Sequence, residues 1–253
     1  MPVPVTTIKD LCEHLTALGV SRGDKITVHS RLIAFGRIDH GAASVFDALC
    51  EILGAQGTIV VPTYTLFSTG PYDKQNTPSQ AVGVLSEHIR TLPGAIRSAC
   101  PLHSHAGIGP GAQILAEGDG RVSFGVGSDF ELLQRHNFKL LLLGASFAEG
   151  ATCCHHLEAI ANVPYRAWTT VRRKVVSADG SVAEIGCRYF ERSDQEWHED
   201  FNRLAAPLEE AGIVSSARCP FGNSYYGSLR DIADYVLAQV SKNPYALVKR
   251  CSA

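Results

Sequence analysis

Cys153-Cys154-His155-His156-Leu157-Glu158-Ala159-Ile160-Ala161-Asn162-Val163-Pro164-Tyr165-Arg166 gathers a base, a carboxylate and a cation into one short stretch. On a helix, His155 and Glu158 stand three residues apart on one face and reach each other. A neutral imidazole whose second ring nitrogen is held by a carboxylate has a fixed tautomer and stronger basicity, which a general base needs near neutral pH. The same spacing also describes an ordinary surface pair, and His-x-x-Glu alone is a weak signature. His156 points elsewhere on such a helix and reads as structural. Cys153 and Cys154 read first as small buried hydrophobes, with a reactive thiol pair or half of a metal site as the alternatives.

The elements that must position this stretch are legible around it. Leu140-Leu141-Leu142-Leu143 is a continuous apolar run of strand length, which predicts a strand over 138–144 buried on both faces. Thr152 is placed to cap a helix that contains no Gly or Pro before Pro164 stops it. Ligands of open α/β sheets gather outside the carboxyl ends of the strands, where this helix would begin. Upstream, residues 6–18 have helical apolar spacing. A short strand then runs into His29-Ser30-Arg31, and the loop 36–42 enters a helix over 43–53 with the ingredients of a phosphate site, although its glycines match neither the Walker nor the dinucleotide pattern. A second strand over 57–65 ends in the hydroxyls Thr63, Tyr64 and Thr65. Residues 66–80 form a Gly/Pro/Asn/Thr loop that could cover a substrate, and a helix over 82–91 follows. His103-Ser104-His105 reads as a polar pocket wall rather than a metal site. Ser128 or Asp129 caps a helix over 130–136. After Pro164 the pattern changes to period two, predicting an antiparallel hairpin within 166–190 with its turn at 178–181. A helix over 194–211, a strand over 213–218 and a helix over 227–241 are expected beyond it.

At 253 residues, with 45% hydrophobic and 19% charged residues, the composition is that of a globular α/β chain able to bury a large core. A formal net charge of -2 gives no footprint for nucleic acid, and no apolar run approaches a membrane span. Met1-Pro2-Val3-Pro4-Val5 lacks the regions of a secretory signal, so a cytoplasmic location is expected. The eight cysteines contain no C-x-x-C pair, so free thiols and no zinc or other metal are expected. No repeat or linker is visible, which predicts one domain over 1–253 with the hairpin as an appendage.

Taken together, several of these segments resemble the aminoglycoside 3-N-acetyltransferase (antibiotic N-acetyltransferase) family, which is unrelated to the GNAT fold. The matching residues are Val28-His29-Ser30 with Gly36, Val61-Pro62-Thr63-Tyr64-Thr65, Gly83 to Arg90 with Pro93-Gly94 and Arg97-Ser98, His103-Ser104 with Gly109-Pro110, Phe124-Gly125-x-Gly127-Ser128, and Leu142-Leu143-Gly144 leading to His155-x-x-Glu158 and Val163-Pro164-Tyr165-Arg166. They occur in the family's order, and the tail from Phe221 to Leu247 is similar in style. The resemblance implies a single three-layer α/β domain with a central mixed sheet flanked by helices and a small antiparallel β appendage. It implies acyl transfer from acetyl-CoA to an amine, with His155 as base and Glu158 orienting it; the tetrahedral oxyanion of that reaction would need donors such as Thr65 or backbone amides. CoA would lie along His29, Ser30, Arg31, Gly36, Arg37, Ile38, Gly41 and Ala42, with Thr63, Thr65, His103 and Ser104. The amine would meet Tyr64, Asp73, Glu158 and Arg166. A small-molecule amine partner, no nucleic acid, no membrane, and a monomer or homodimer complete the expectation.

The segment after Thr65 departs from family members that modify aminoglycosides, which carry an acidic and aromatic insert there, whereas residues 66–82 hold one acid, Asp73. A biosynthetic amine, such as an amino sugar or a secondary-metabolite amine, is therefore weighed beside the antibiotic. Three other readings stand beside amine acetylation by direct transfer: a biosynthetic acyl transfer from another acyl-CoA or a carrier protein, an acyl-enzyme on Cys153 or Cys154, and a CoA-binding module without activity.

Overall fold

The computed structural model describes residues 5–250; residues 1–4, on which the reading of the N-terminus rests, and Cys251 lie outside it. β1 (Val5–Thr6) leads into α1 (Ile8–Ala17), the first expected helix. Thr7 and Asp10 satisfy each other's backbone N–H groups through their side chains, a capping box that fixes where the helix starts. β2 (Lys25–Ser30), β3 (Arg37–Ile38), α2 (Ala42–Leu53), β4 (Thr58–Pro62), α3 (Val84–Arg90), β5 (Ile96–Arg97), β6 (His105–Ile108), α4 (Asp129–Arg135), β7 (Lys139–Leu143), α5 (Phe147–Gly150) and α6 (Cys153–Ala161) follow. β8 (Arg166–Val176) pairs along its whole length with β9 (Val182–Arg192) as the expected antiparallel hairpin. β10 (Trp197–Glu199), α7 (Ala205–Glu210), β11 (Val214–Cys219), β12 (Gly222–Ser228), α8 (Leu229–Lys242) and β13 (Val248–Arg250) close the described chain.

Seven strands form the main sheet in the order β11-β12-β7-β2-β4-β6-β5. The central three, β7, β2 and β4, are parallel, and both wings are antiparallel. The continuous apolar runs explain this placement: Leu140 and Leu142 pack with Leu157 and Val236 in one layer, while Leu141 and Leu143 pack with Leu11, Leu49 and Leu85 in the other. Successive side chains on a strand face opposite ways, so a run of four leucines needs cover on both sides. The result is the expected α/β three-layer arrangement around a mixed sheet.

In the β2–β7 register His29 lies opposite Leu142 and Ser30 opposite Leu143. The carboxyl ends of these two strands are therefore level, and β4 ends beside them at Pro62. β2 connects onward to β4 on one side, whereas β7 connects onward to β11 and β12 on the other, so the connections diverge where β2 and β7 lie side by side and open a crevice at their carboxyl ends.

Several expectations need correction. The helix read over 194–211 begins only at Ala205; Trp197–Glu199 is instead a strand paired with β13, and a 3₁₀ turn spans Phe201–Leu204. β12, absent from the sequence reading, inserts between β7 and β11. Thr152 precedes α6 in a helical conformation and makes no side-chain cap. The helix ends at Asn162, which takes the left-handed conformation at φ 49°, before Pro164 is reached. His103 lies before β6, which starts at His105.

Gly144, immediately after β7, has φ +66°, and a Cβ there would sit 2.8 Å from Ala34 Cβ and 2.9 Å from the Arg31 carbonyl oxygen. The close approach holds the turn after β2 against the end of β7. Gly144→Ala should destabilise the fold by about 3 kcal/mol through backbone strain and overpacking together, read as a lower denaturant midpoint with unchanged slope.

Candidate active site

α6 delivers the sequence pair as its spacing requires. His155 Nδ1 lies 2.7 Å from Glu158 Oε2, and the Glu158 side chain is completely buried. A carboxylate buried there needs partners, and three converge on it. Tyr165, itself buried, donates its hydroxyl to Glu158 Oε1 at 2.9 Å. Arg166 Nε stands 2.7 Å from Glu158 Oε2; Nε–H has no aligned acceptor, so this contact is an ion pair rather than a directed hydrogen bond. Burial, followed by the Glu158 charge and hydrogen bond, pushes the Tyr165 phenol up, which keeps it a donor. Arg166 is fixed in turn by Glu199 Oε1 at 2.8 Å and the Phe190 carbonyl at 3.2 Å.

The carboxylate only accepts, so Nδ1 must carry the hydrogen. Arg166 Nη2, 2.9 Å from Nδ1, then has no lone pair to bond there and donates to Glu199 instead. This leaves the Nε2 lone pair free for chemistry. The ring is held between Phe201 and Phe124, at centroid distances of 5.0 and 5.6 Å, with 21% of its side chain exposed.

His155 opens onto a cleft of about 430 Å³, within the range of small-molecule sites. Of the expected residues, His29, Ser30, Arg31, Tyr64 and His103 line it together with His155. Burial, reinforced by His105, lowers the pKa of His29 to about 3. Burial also takes His103 well below the ordinary histidine range, with His155 and His105 adding to the effect, and His103 Nδ1 bonds the Ser123 hydroxyl. Both are neutral at pH 7. Gln80, Tyr189 and Glu149 also line the cleft without having been singled out in the sequence, as does Thr152, which was read only as a helix cap. Glu149 lies 3.1 Å from Arg31; burial raises its pKa, but bonds from Ser146 and the Arg31 charge outweigh that and leave it lowered.

Other expected residues lie elsewhere. Thr65 is buried and its hydroxyl donates to the Pro101 carbonyl at 2.8 Å, so its proton is committed away from the cleft. The Thr63 and Ser104 hydroxyls meet at 3.0 Å, both receiving Arg97 Nε, inside a buried network that ties the end of β4 to β5. Asp73 folds its own loop by accepting from the Gln75 N–H and the Asn76 side chain, both at 2.8 Å. Arg166 and Glu158 lie behind His155 rather than on the cleft wall. Gly36, Arg37, Ile38, Gly41 and Ala42 run on from Arg31 outside the cleft lining; Arg37–Ile38 pairs with β1, and Gly41 precedes α2. His156 is buried and structural: its Nδ1 accepts the Gly125 N–H at 3.1 Å. Cys153 faces a small interior cavity, not the cleft. The Cys154 thiol is fully buried and pushed well up by its bond to Cys153 and by burial, which makes it a poor nucleophile. His105 pairs with Asp129 at 3.0 Å, and among the described residues no group of three or more His, Cys, Asp or Glu side chains could hold a metal ion. No helix of the described residues is long and apolar enough to cross a membrane. Tyr165 was read only as part of a motif; it lies beyond the end of α6, so helical spacing carries no signal for its bond to Glu158.

A profile described as aminoglycoside 3-N-acetyltransferase matches residues 27–241. An aminoglycoside N(3)-acetyltransferase III from Salmonella sp is 32% identical over 199 residues, covering 70% of this chain and 68% of its own length. An aminoglycoside N(3)-acetyltransferase VII from Streptomyces paromomycinus is 29% identical over 265 residues, covering 93% of this chain and 91% of its own. Among solved structures, AAC-IIIb in a binary complex with CoASH is similar at a TM-score of 0.84 and 24% identity, covering 94% of this chain and 97% of that one.

Two outcomes follow. Burial lowers the pKa of His156 from 6.5 to about 4. The unfolded chain takes up this proton first, so the group's contribution is complete above pH ~6.5 and is lost as pH falls to about 4, in all about 3 kcal/mol. Unfolding midpoints across that window should fall less steeply with acid in His156→Gln than in the parent. Thr65→Val, which leaves the Pro101 carbonyl without its donor, should cost about 1–3 kcal/mol of stability, with kcat/KM of the folded fraction changed less than its unfolding midpoint implies.

Proposed function

The chain belongs to the aminoglycoside 3-N-acetyltransferase family of acyltransferases, and on that premise we propose that it acetylates a primary amine by direct transfer from acetyl-CoA with His155 as general base. The acceptor belongs to the class of aminoglycosides or related amino-sugar and secondary-metabolite amines. The observation that carries this reading is the His155–Glu158 contact of 2.7 Å, with the carboxylate sealed behind the ring and the ring edge on the cleft. Residues 1–253 act as one acetyltransferase domain, with the β8–β9 hairpin as its appendage.

In this mechanism the acceptor ammonium first loses one proton to solvent, and His155 Nε2 takes a second from the amine nitrogen as its electron pair attacks the thioester carbonyl carbon. The C–S bond then breaks, and the thiolate takes that second proton from the imidazolium to leave as CoASH, with a neutral amide as the other product. Nδ1–H remains on Glu158 throughout, so the positive charge that forms on the ring faces a fixed negative one. With Thr65 committed to Pro101, oxyanion donors come from the Ser30 and Thr152 hydroxyls on the cleft wall. The thioester arm of CoA is held by Ser30 and Arg31, and its phosphates by Arg31 and by the surface running through Arg37 to the N-terminus of α2 at Ala42. The CoASH complex of AAC-IIIb, which shares this fold, supports CoA as donor, and the names of the relatives support an amine acceptor.

His155→Gln should lower kcat/KM by about 10²–10⁴-fold while the affinity for CoA and the unfolding midpoint stay close to the parent's. Initial-rate lines that intersect are expected for a ternary complex. Full turnover in the variant would remove the proposed base, and parallel lines would return the reaction to an acyl-enzyme.

A further inference from the structure

The charge of the cleft bears on its acceptor. Among the described lining residues, Glu149 is the one carboxylate, and it is already matched by Arg31 at 3.1 Å, with Oε2 also receiving the Ser146 N–H. His29 and His103 are neutral. The one acid of the adjoining loop, Asp73, is closed on Gln75 and Asn76. Behind the wall stand cations: Arg173 donates to the Thr65 carbonyl, and Arg97 to the Thr63 carbonyl. A ligand with several ammonium groups would have to shed their hydration here with no unpaired carboxylate to receive them.

The wall offers apolar contact instead. Phe67 is 74% exposed and lines the cleft beside Leu66, Pro62 and Val82, with Tyr189 on the hairpin side. Its backbone N–H is held by Gln80 Oε1 at 3.1 Å, and Gln80 N–H is held by the Tyr64 carbonyl at 2.8 Å, so the ring is presented from a braced loop. An exposed aromatic on the wall of a pocket is a ready contact for an apolar or aromatic surface.

We infer that the acceptor of this cleft is an amine of low charge, one cationic nitrogen on an apolar or aromatic body, and not a polycation. The inference rests on the acyl-transfer reading for the identity of the cleft, and binding tests it separately from turnover. In titration calorimetry on the full chain saturated with CoA, phenethylamine should bind at least about tenfold more tightly than sisomicin at low ionic strength, with little dependence on salt. Phe67→Ala should weaken phenethylamine by about tenfold. Gln80→Glu keeps an acceptor for the Phe67 N–H and adds a negative charge, so it should narrow the gap between the two amines. Tighter, salt-sensitive binding of sisomicin, undetectable binding of phenethylamine, or indifference to Phe67→Ala would each overturn the inference, as would glucosamine binding more tightly than phenethylamine. Thiol release from acetyl-CoA with the same amines tests the other reading: an amine that binds beside CoA as described but is never acetylated contradicts acyl transfer and leaves the binding preference standing.

Discussion

Glu158 is a carboxylate with no solvent contact, and the region around it is arranged to make that tolerable. Removing such a group from water costs several kcal/mol unless opposite charge and hydrogen bonds replace the water. Arg166 supplies the charge and Tyr165 a hydrogen bond, while His155 takes the remaining direction. The first two come from the segment that leaves α6 for the hairpin, and Arg166 is itself anchored by a β9 carbonyl and a β10 carboxylate. α6, the β8–β9 hairpin and β10 are thus tied together through Glu158 and Arg166. What emerges from this packing is a histidine with one nitrogen spoken for and the other on the cleft.

The sheet determines where that histidine can act. Level carboxyl ends of β2 and β7, with β4 ending beside them, put His29, Ser30 and Pro62 around the same opening that α6 approaches from above. Burial keeps His29 and His103 neutral, so the rings crowding the opening do not oppose a positive charge forming on His155. On the wall Arg31 pairs with Glu149 and Gln80 holds the Phe67 N–H, which leaves the cleft with little unmatched charge.

What the sequence made legible was local. The leucine run of β7 could only be a doubly covered strand, and three-residue spacing on a helix was enough to bring His155 and Glu158 together. The hydroxyls after β4 were visible as polar groups at the end of a strand, but their partners were not. Thr65 is satisfied by Pro101, and Thr63 and Ser104 by Arg97, all through contacts that only the folded sheet creates. Phe201, Leu204 and Leu208 are buried at helical spacing, yet Trp197–Glu199, within the helix expected over 194–211, is drawn into extended backbone by β13. Arg166 was expected to meet the amine; its place behind the imidazole instead depends on Glu199 and Phe190, which no local pattern reveals.

The central claim is that the buried carboxylate holds the hydrogen on Nδ1 and leaves Nε2 as the basic atom. Nitrogen-15 NMR of the His155 ring in the full-length protein at neutral pH tests it most directly, with His155→Gln used to assign the signals. The account predicts a protonated, pyrrole-type Nδ1 and an unprotonated, pyridine-type Nε2. The reverse pattern, with the hydrogen on Nε2, would contradict it.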